Sequence, residues 1–138
     1  MAPAARACEW NIAATLPEVD RLCAEFTACL SAPEWEPHIF ALQLLLREAL
    51  NNAVLHGCAG APAGRVRCAL DLSESEARLV VTDDGPGFDW QARLGGAPCA
   101  GNLESGRGLR IYQLYAHQIE FNAAGNQVTL TRRLTPPG

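Results

Sequence analysis

The chain has 138 residues, of which 49% are hydrophobic and 19% are charged. This size and balance are typical of one compact domain with a single core, and they exclude a disordered or fibrous protein. The formal net charge of −4 at pH 7 argues against a general nucleic-acid binder, which needs a basic face. We therefore expect one domain over residues 1–138 and no nucleic-acid partner.

The first half of the chain predicts one strand and two helices. Residues 8–14 alternate weakly between apolar and polar, which favours a short strand. Pro17 suits a first helical turn, and the apolar residues after it recur at helical spacing as far as Ser31. Residues 38–56 are apolar on most faces and predict a largely buried helix, with Gly57 at its C-terminal end.

The second half predicts two hairpins separated by a long loop and a helix. Residues 65–73 and 77–84 favour two strands joined by a tight turn. Residues 89–105 are aperiodic and rich in glycine, which is typical of a functional lid. A helix from Leu109 then precedes a second hairpin over residues 118–134. Strands that arrive as hairpins favour an α+β fold, a mixed and mostly antiparallel sheet with helices on one face.

Cysteine spacing and hydropathy indicate the cellular compartment in which the protein acts. The six cysteines form no C-x-x-C pair, which argues against structural zinc and against a disulfide framework. The N-terminal residues lack the apolar segment of a signal peptide, and no run reaches the ~18 residues of a membrane span. We expect a cytoplasmic protein that has reduced cysteines and no membrane contact.

The predicted buried helix carries a polar edge near its end. Glu48, Asn52 and His56 follow one another at intervals of four residues, so they share one side of an α-helix. A carboxylate one turn before an amide can act as a general base beside a ligand for a hard cation such as Mg²⁺. The alternatives are a solvated stripe on a half-buried helix and, for His56, a cap at the negative end of the helix dipole.

Two glycine motifs offer further candidates. In "DDGPGFD", Asp83 places an acceptor at a strand end, while Gly85 and Gly87 let the backbone approach a flat ligand; the alternative is an ordinary turn. In "GRGL", Gly106 and Gly108 open a helix whose free N–H groups and positive dipole suit phosphate. Arg107 adds a positive charge to the same motif, although a helix start without a ligand would explain the glycines equally well.

The order of these three elements is more specific than any one of them. "EALNN", "DDGPG" and "GRGL" resemble the N, G1 and G2 boxes of the GHKL ATPase superfamily, and the resemblance covers nearly the whole chain. Within that superfamily the chain is most similar to small bacterial anti-sigma-factor serine kinases, through "NNAVLHG", "ESGRGLRIYQLY" and "GNQVTLTRR". This similarity implies the Bergerat fold, a two-layer α/β sandwich that binds ATP and Mg²⁺.

The resemblance implies a role for each matching position. Glu48 would be the general base, Asn52 would ligate Mg²⁺, and Asp83 would accept a hydrogen bond from the adenine amino group. The other nucleotide-binding positions would be those of the two glycine motifs: Gly85, Gly87, Gly106, Arg107, Gly108 and Leu109.

Three functions are compatible with such a site. The first, which the resemblance implies, is a serine kinase that phosphorylates a STAS-domain anti-sigma-factor antagonist and otherwise sequesters a sigma factor, acting as a homodimer. The second is a nucleotide-gated binding module without transferase activity. The third, the catalytic part of a histidine kinase, would require a phosphoacceptor histidine in a helical hairpin, and His38 at the start of the N-box helix is badly placed for that role.

Overall fold

The computed structural model describes residues 6–57, 64–85 and 110–133, with the side chains of all these residues except His56 and Gly57. In chain order the elements are β1 (Arg6–Ala13), α1 (Leu16–Cys29), a 3₁₀ helix (Pro33–His38), α2 (Ile39–Asn52), a π-helical turn (Ala53–Gly57), β2 (Arg65–Leu72), β3 (Glu76–Asp83), α3 (residues 110–115), β4 (Gln118–Phe121) and β5 (Gln127–Arg133).

The strands form a five-stranded sheet in the order β1-β2-β3-β5-β4. Every pairing among the described strands is antiparallel, so the expected mostly antiparallel sheet is confirmed and contains no parallel pair in this part of the chain. Both predicted hairpins are present, β2 with β3 and β4 with β5. The second hairpin joins the sheet through β5, which leaves β4 at the edge.

The core lies between the helices and one face of the sheet. Along β2, buried residues such as Val66 and Leu70 alternate with exposed ones such as Arg67, as a strand covered on one face requires. Leu70 pairs with Leu79, and Leu79 pairs with Leu130, so the three central strands present a continuous apolar row. α1 and α2 bury most of their apolar residues against this face in one cluster, which confirms the two-layer α+β sandwich.

The first helix agrees with its prediction. Thr15 is the N-cap residue in extended conformation, and Pro17 occupies the first turn. The residues that recur at helical spacing are buried, including Leu22 and Phe26, which are fully buried. The helix ends at Cys29, two residues before the predicted end.

The predicted helix over residues 38–56 is divided into differently wound parts. Its first residue, His38, ends a 3₁₀ helix that contains Pro37, and regular α-helix begins at Ile39. The α-helix ends at Asn52, and a π-helical turn continues the winding to Gly57. Apolar periodicity predicted the burial of this segment but could not distinguish among the three kinds of winding, because each keeps one face on the core.

Several expectations lie outside the described residues. These are the loop over residues 58–63, the whole of the predicted lid over residues 89–105, and the G2 motif. Among the helices that the structure describes, none combines the length and the apolar character needed to cross a membrane.

Candidate functional site

Glu48 and Asn52 lie one turn apart at the C-terminal end of α2. Both side chains are partly buried, whereas Ala49 and Leu50 between them are buried in the core. The helix therefore fixes its apolar face on the sheet and turns the carboxylate and the amide toward one edge. The predicted edge is confirmed as far as Asn52.

A π-helical turn begins directly after Asn52. The backbone N–H of Ala53 is shared between the carbonyl oxygens of Ala49 and Leu50, and wider winding follows as far as Gly57. Short π-helical insertions in α-helices occur frequently at functional sites. Because the turn changes the rotation per residue, the α-helical spacing that placed His56 on the same edge does not extend beyond Asn52.

Asp83 is the last residue of β3 and one of the few buried polar residues, with 8% of its surface exposed. Its Oδ1 accepts a hydrogen bond of 2.7 Å from the backbone N–H of Gly85, which fixes the orientation of the carboxylate. Its Oδ2 accepts no hydrogen bond within the part of the chain that the structure describes. Burial raises the pKa of Asp83, and the Gly85 N–H opposes that shift.

The second hairpin holds the backbone of Asp83 in place. The N–H of Asp83 donates to the carbonyl of Asn126 at 2.9 Å, and the Asn126 side-chain amide donates to the carbonyl of Asp83 at 3.0 Å. The Asn122 Oδ1 accepts three backbone N–H groups of the same turn, including that of Gly125, which adopts a positive φ of 80°. A glycine suits this position because its φ is unfavourable for other residues.

The neighbouring Asp84 has a different role. Its side chain is 44% exposed, and its two oxygens accept hydrogen bonds from the Arg65 backbone N–H and from the Arg67 guanidinium. These contacts join the end of β3 to the start of β2. Of the two consecutive aspartates, only Asp83 is buried and has an oxygen without a hydrogen bond in the described region.

Tyr112, on α3, contacts the amide of Asn52. The Asn52 Nδ2 donates to the Tyr112 hydroxyl at 3.1 Å, and Tyr112 is 3% exposed. Burial raises the pKa of Tyr112, the Asn52 hydrogen bond opposes this shift, and the charge of Glu48 reinforces it. The hydroxyl therefore stays protonated at neutral pH. Through this contact, α3 packs directly against the polar edge of α2.

The described residues suit a purine nucleotide and a hard cation. A nearly buried carboxylate with one oxygen available is an acceptor for an exocyclic amino group. The Asn52 Oδ1, which accepts no hydrogen bond from the described residues, is the kind of oxygen that Mg²⁺ prefers. Within residues 6–57, 64–85 and 110–133, no group of three His, Cys, Asp or Glu side chains could hold a metal ion.

The structure describes four of the predicted site residues: Glu48, Asn52, Asp83 and Gly85. It places the first two at the end of α2 and the other two at the end of β3, and both α2 and the π-helical turn pack against β3. The remaining predicted positions lie outside the described residues: Gly87, Gly106, Arg107, Gly108 and Leu109.

Sequence reasoning missed Tyr112 and Asn126. Tyr112 lies in the helix predicted from Leu109, and the periodicity that buries its ring says nothing about where its hydroxyl points. Asn126 follows Gly125 in a predicted hairpin turn, where asparagine is an ordinary turn residue. Its contact with Asp83 depends on β5 lying next to β3, which is a property of the sheet order.

The fold is a two-layer sandwich in which one helix carries an acid and an amide near its C-terminal end, beside a buried aspartate at the end of a strand. These features together are typical of a nucleotide-binding module. The model of the histidine kinase-like ATPase domain matches residues 12–132, and the chain belongs to this family. Membership implies that the chain binds ATP. The chain is also similar to a protein of Bacillus cytotoxicus named anti-sigma F factor, with 30% identity over 100 residues, covering 68% of each chain.

Proposed function

We propose that this chain, as a single histidine kinase-like ATPase domain over residues 1–138, is an ATP-dependent serine-protein kinase and anti-sigma factor. The observation that carries the proposal is the pairing of functional groups around α2. Glu48 and Asn52 lie on one edge of the helix, and the buried Asp83 lies on the strand against which the helix packs. This arrangement separates a group for the nucleotide base from groups for the phosphates.

In this proposal each described residue acts at a stated atom. The Asp83 Oδ2 accepts from the adenine amino group, while the Gly85 N–H keeps Oδ1 occupied. The Asn52 Oδ1 would provide one ligand for Mg²⁺, which when bound would supply positive charge to neutralise the phosphates. The glycine motif from Gly106 to Gly108, with Arg107 and Leu109, would hold the phosphates through backbone N–H groups.

Glu48 is the proposed general base. A serine hydroxyl oxygen of the substrate protein attacks the γ-phosphorus, the bond to the β-phosphate oxygen breaks, and ADP leaves. Glu48 takes the hydroxyl proton, so the transfer balances without another co-reactant. Catalysis of phosphoryl transfer depends chiefly on positioning and charge, which a carboxylate and an amide on one rigid helix can provide.

The similarity to the anti-sigma F factor supports a sigma factor as one partner, and the resemblance of the sequence motifs supports the others. We propose a STAS-domain antagonist as the phosphorylated substrate, a sigma factor as the sequestered partner, and a homodimer acting in the cytoplasm. A second candidate is a nucleotide-gated regulator that binds its partners without phosphorylating them. The name of the Bacillus relative supports this alternative as much as it supports the kinase, because the name states an action on a sigma factor and does not mention phosphoryl transfer.

One experiment separates the two candidates. STAS-domain proteins from the source organism would be purified and incubated with this chain, Mg²⁺ and ATP labelled at the γ-phosphate. Transfer of label to a serine, abolished by Glu48→Ala, would support the kinase. Stable, ATP-dependent binding of the same partner without label transfer would favour the regulator. Absence of both binding and transfer for every STAS protein would exclude the proposed substrate class.

A further inference from the structure

The Tyr112 hydroxyl is the buried group that contacts the predicted metal ligand. The tyrosine ring belongs to the main hydrophobic core, and its hydroxyl accepts from the Asn52 Nδ2 at 3.1 Å. An asparagine amide has one donor end and one acceptor end. Since the donor end is committed to Tyr112, the acceptor Oδ1 is held facing away from that hydroxyl.

We propose that Tyr112 is a positioning residue that orients the Asn52 Oδ1 for Mg²⁺, an inference that rests on the proposed function. The phenol oxygen suits this task because it accepts from the amide nitrogen and so leaves the amide oxygen available for the cation. The hydrogen bond also joins α3 to α2. In the sequence, α3 directly follows the predicted phosphate motif that ends at Leu109.

Magnesium dependence tests this role, with Tyr112→Phe as the variant and Tyr115→Phe as the control. Phenylalanine keeps the buried ring and removes only the hydroxyl, while Tyr115, also on α3, packs its ring edge-on against Phe40. Binding of trinitrophenyl-ATP would be measured in EDTA and across a Mg²⁺ titration. We expect unchanged affinity in EDTA and a three- to tenfold higher half-saturating Mg²⁺ concentration for Tyr112→Phe alone.

The outcomes distinguish this inference from the proposed function. If Tyr112→Phe folds with the wild-type circular dichroism spectrum and shows the wild-type Mg²⁺ response, the positioning role is wrong and the kinase proposal is unaffected. An equal change in Tyr115→Phe would also refute it, since a general loosening of α3 would then be the cause. If wild-type protein binds nucleotide without any Mg²⁺ dependence, both the inference and the proposed metal ligand fail.

A different observation concerns two cysteines away from this site. The Cys8 Sγ on β1 and the Cys29 Sγ at the end of α1 lie 2.7 Å apart, and both cysteines are free. Burial and the contact with Cys8 raise the pKa of Cys29 to about 11, so this thiol stays protonated at neutral pH. Cys8 is the more exposed of the two and is therefore the first to meet an oxidant.

We infer that Cys8 and Cys29 form an oxidisable pair that closes to a disulfide on reaction with hydrogen peroxide. The Cys8 thiolate attacks one peroxide oxygen, which gives a sulfenic acid and, after protonation, one water. The Cys29 sulfur then attacks the Cys8 sulfur, the S–O bond breaks, and a second water leaves with the Cys29 proton. Two thiols and one peroxide thus yield one disulfide and two waters.

The closed pair would join β1, at one edge of the sheet, to the last turn of α1. Cross-linking these elements restricts the unfolded chain, so the oxidised protein should melt several degrees higher than the reduced protein. Cys23, in the same helix, is also a buried free cysteine, but the sulfur contact with Cys8 is made by Cys29. Cys23 is therefore the matched control for pairing.

Peptide mapping tests the pair. Peroxide-treated full-length protein would be digested with trypsin without reduction, and the peptides 7–21 and 22–47 should be recovered as one disulfide-linked species. Because the second peptide contains both Cys23 and Cys29, the experiment is repeated with each changed to alanine. The link should persist in Cys23→Ala and disappear in Cys29→Ala. A link that survives Cys29→Ala, pairing with other cysteines, or no link at all would overturn the inference.

Discussion

Asp83→Asn tests the proposed site most directly because the two carboxylate oxygens have different surroundings: Oδ1 accepts the Gly85 N–H, and Oδ2 is the proposed acceptor for adenine. The variant keeps Oδ1, which accepts the Gly85 N–H at 2.7 Å, and replaces Oδ2 with an NH₂ group. The backbone contacts with Asn126 are unaffected by the change. At the predicted base-binding position, an acceptor therefore becomes a donor while the shape is preserved.

The expected loss has two parts. The hydrogen bond to the adenine amino group is worth ~1 kcal/mol, and two donors left facing each other in a nearly buried site cost ~1 to 2 kcal/mol more. The sum, roughly 2 to 3 kcal/mol, corresponds to about a 30- to 150-fold weaker ATP affinity.

Asp83→Asn should lower the affinity for ATP without lowering the free energy of unfolding. Burial raises the pKa of Asp83, so its pKa is higher in the folded than in the unfolded chain. A carboxyl with this shift opposes folding above its folded-state pKa, and the cost disappears as the pH falls below that value. Replacing the carboxylate with a neutral amide removes this cost. At neutral pH the free energy of unfolding of Asp83→Asn should therefore equal or exceed that of the wild type.

Isothermal titration with ATP, together with thermal unfolding, measures both effects. Asp84→Asn is the matched control, since Asp84 is the exposed neighbour that contacts Arg65 and Arg67. Its ATP affinity should stay within about twofold of wild type because exposed ion pairs contribute little. Wild-type affinity in Asp83→Asn, or an equal loss in both variants, would refute the assignment of Asp83 to the adenine.

Four further predictions follow from the site and the sequence. Glu48→Ala should retain ATP affinity, while its phosphotransfer rate in labelled-ATP assays should fall by a factor of ~10² to 10⁴. An unchanged rate would show that Glu48 is not the general base. Asn126→Ala loses the side-chain bond to the Asp83 carbonyl and the bond accepted from the Asn122 side-chain amide, so its free energy of unfolding should fall by roughly 1 to 3 kcal/mol, and it should bind ATP several-fold more weakly in titrations. Residues 89–105 should show slower amide exchange with nucleotide, and exchange that is already slow without it would exclude a lid. Chelator should leave the melting temperature unchanged, because no spacing in the chain suits structural zinc.

The fold was largely predictable because each element carries a local pattern. Alternation identified the strands of the first hairpin to within a residue, and helical spacing identified α1, because these patterns record which face is buried. The order of the strands was not predictable in the same way. Nothing in the sequence of β5 specifies that it lies next to β3, since many neighbours could satisfy an alternating strand.

In the candidate site, too, local relations were predictable from the sequence and long-range contacts were not. Glu48 and Asn52 could be paired from the sequence because their distance is set by one turn of one helix. The contacts of Asp83 with Asn126 and of Asn52 with Tyr112 join residues 43 and 60 positions apart, and they exist only after the sheet and the helices have packed. Local patterns therefore nominate candidate residues for the nucleotide, which stay a prediction, but they do not show which residues hold those candidates in place.

The position of the polar edge on a core helix has a physical explanation. Most of the α2 surface is buried, through residues such as Leu42, Leu46 and Leu50, so the helix cannot shift without losing its packing against the sheet. Side chains at the end of such a helix are held by a rigid backbone, so their positions are fixed more precisely than they would be on a loop. The cost of partly burying Asn52 is offset by its hydrogen bond to Tyr112, itself held in the core. The apolar character of α2 and the polar edge at its end thus serve one purpose, the fixed placement of the acid and the amide.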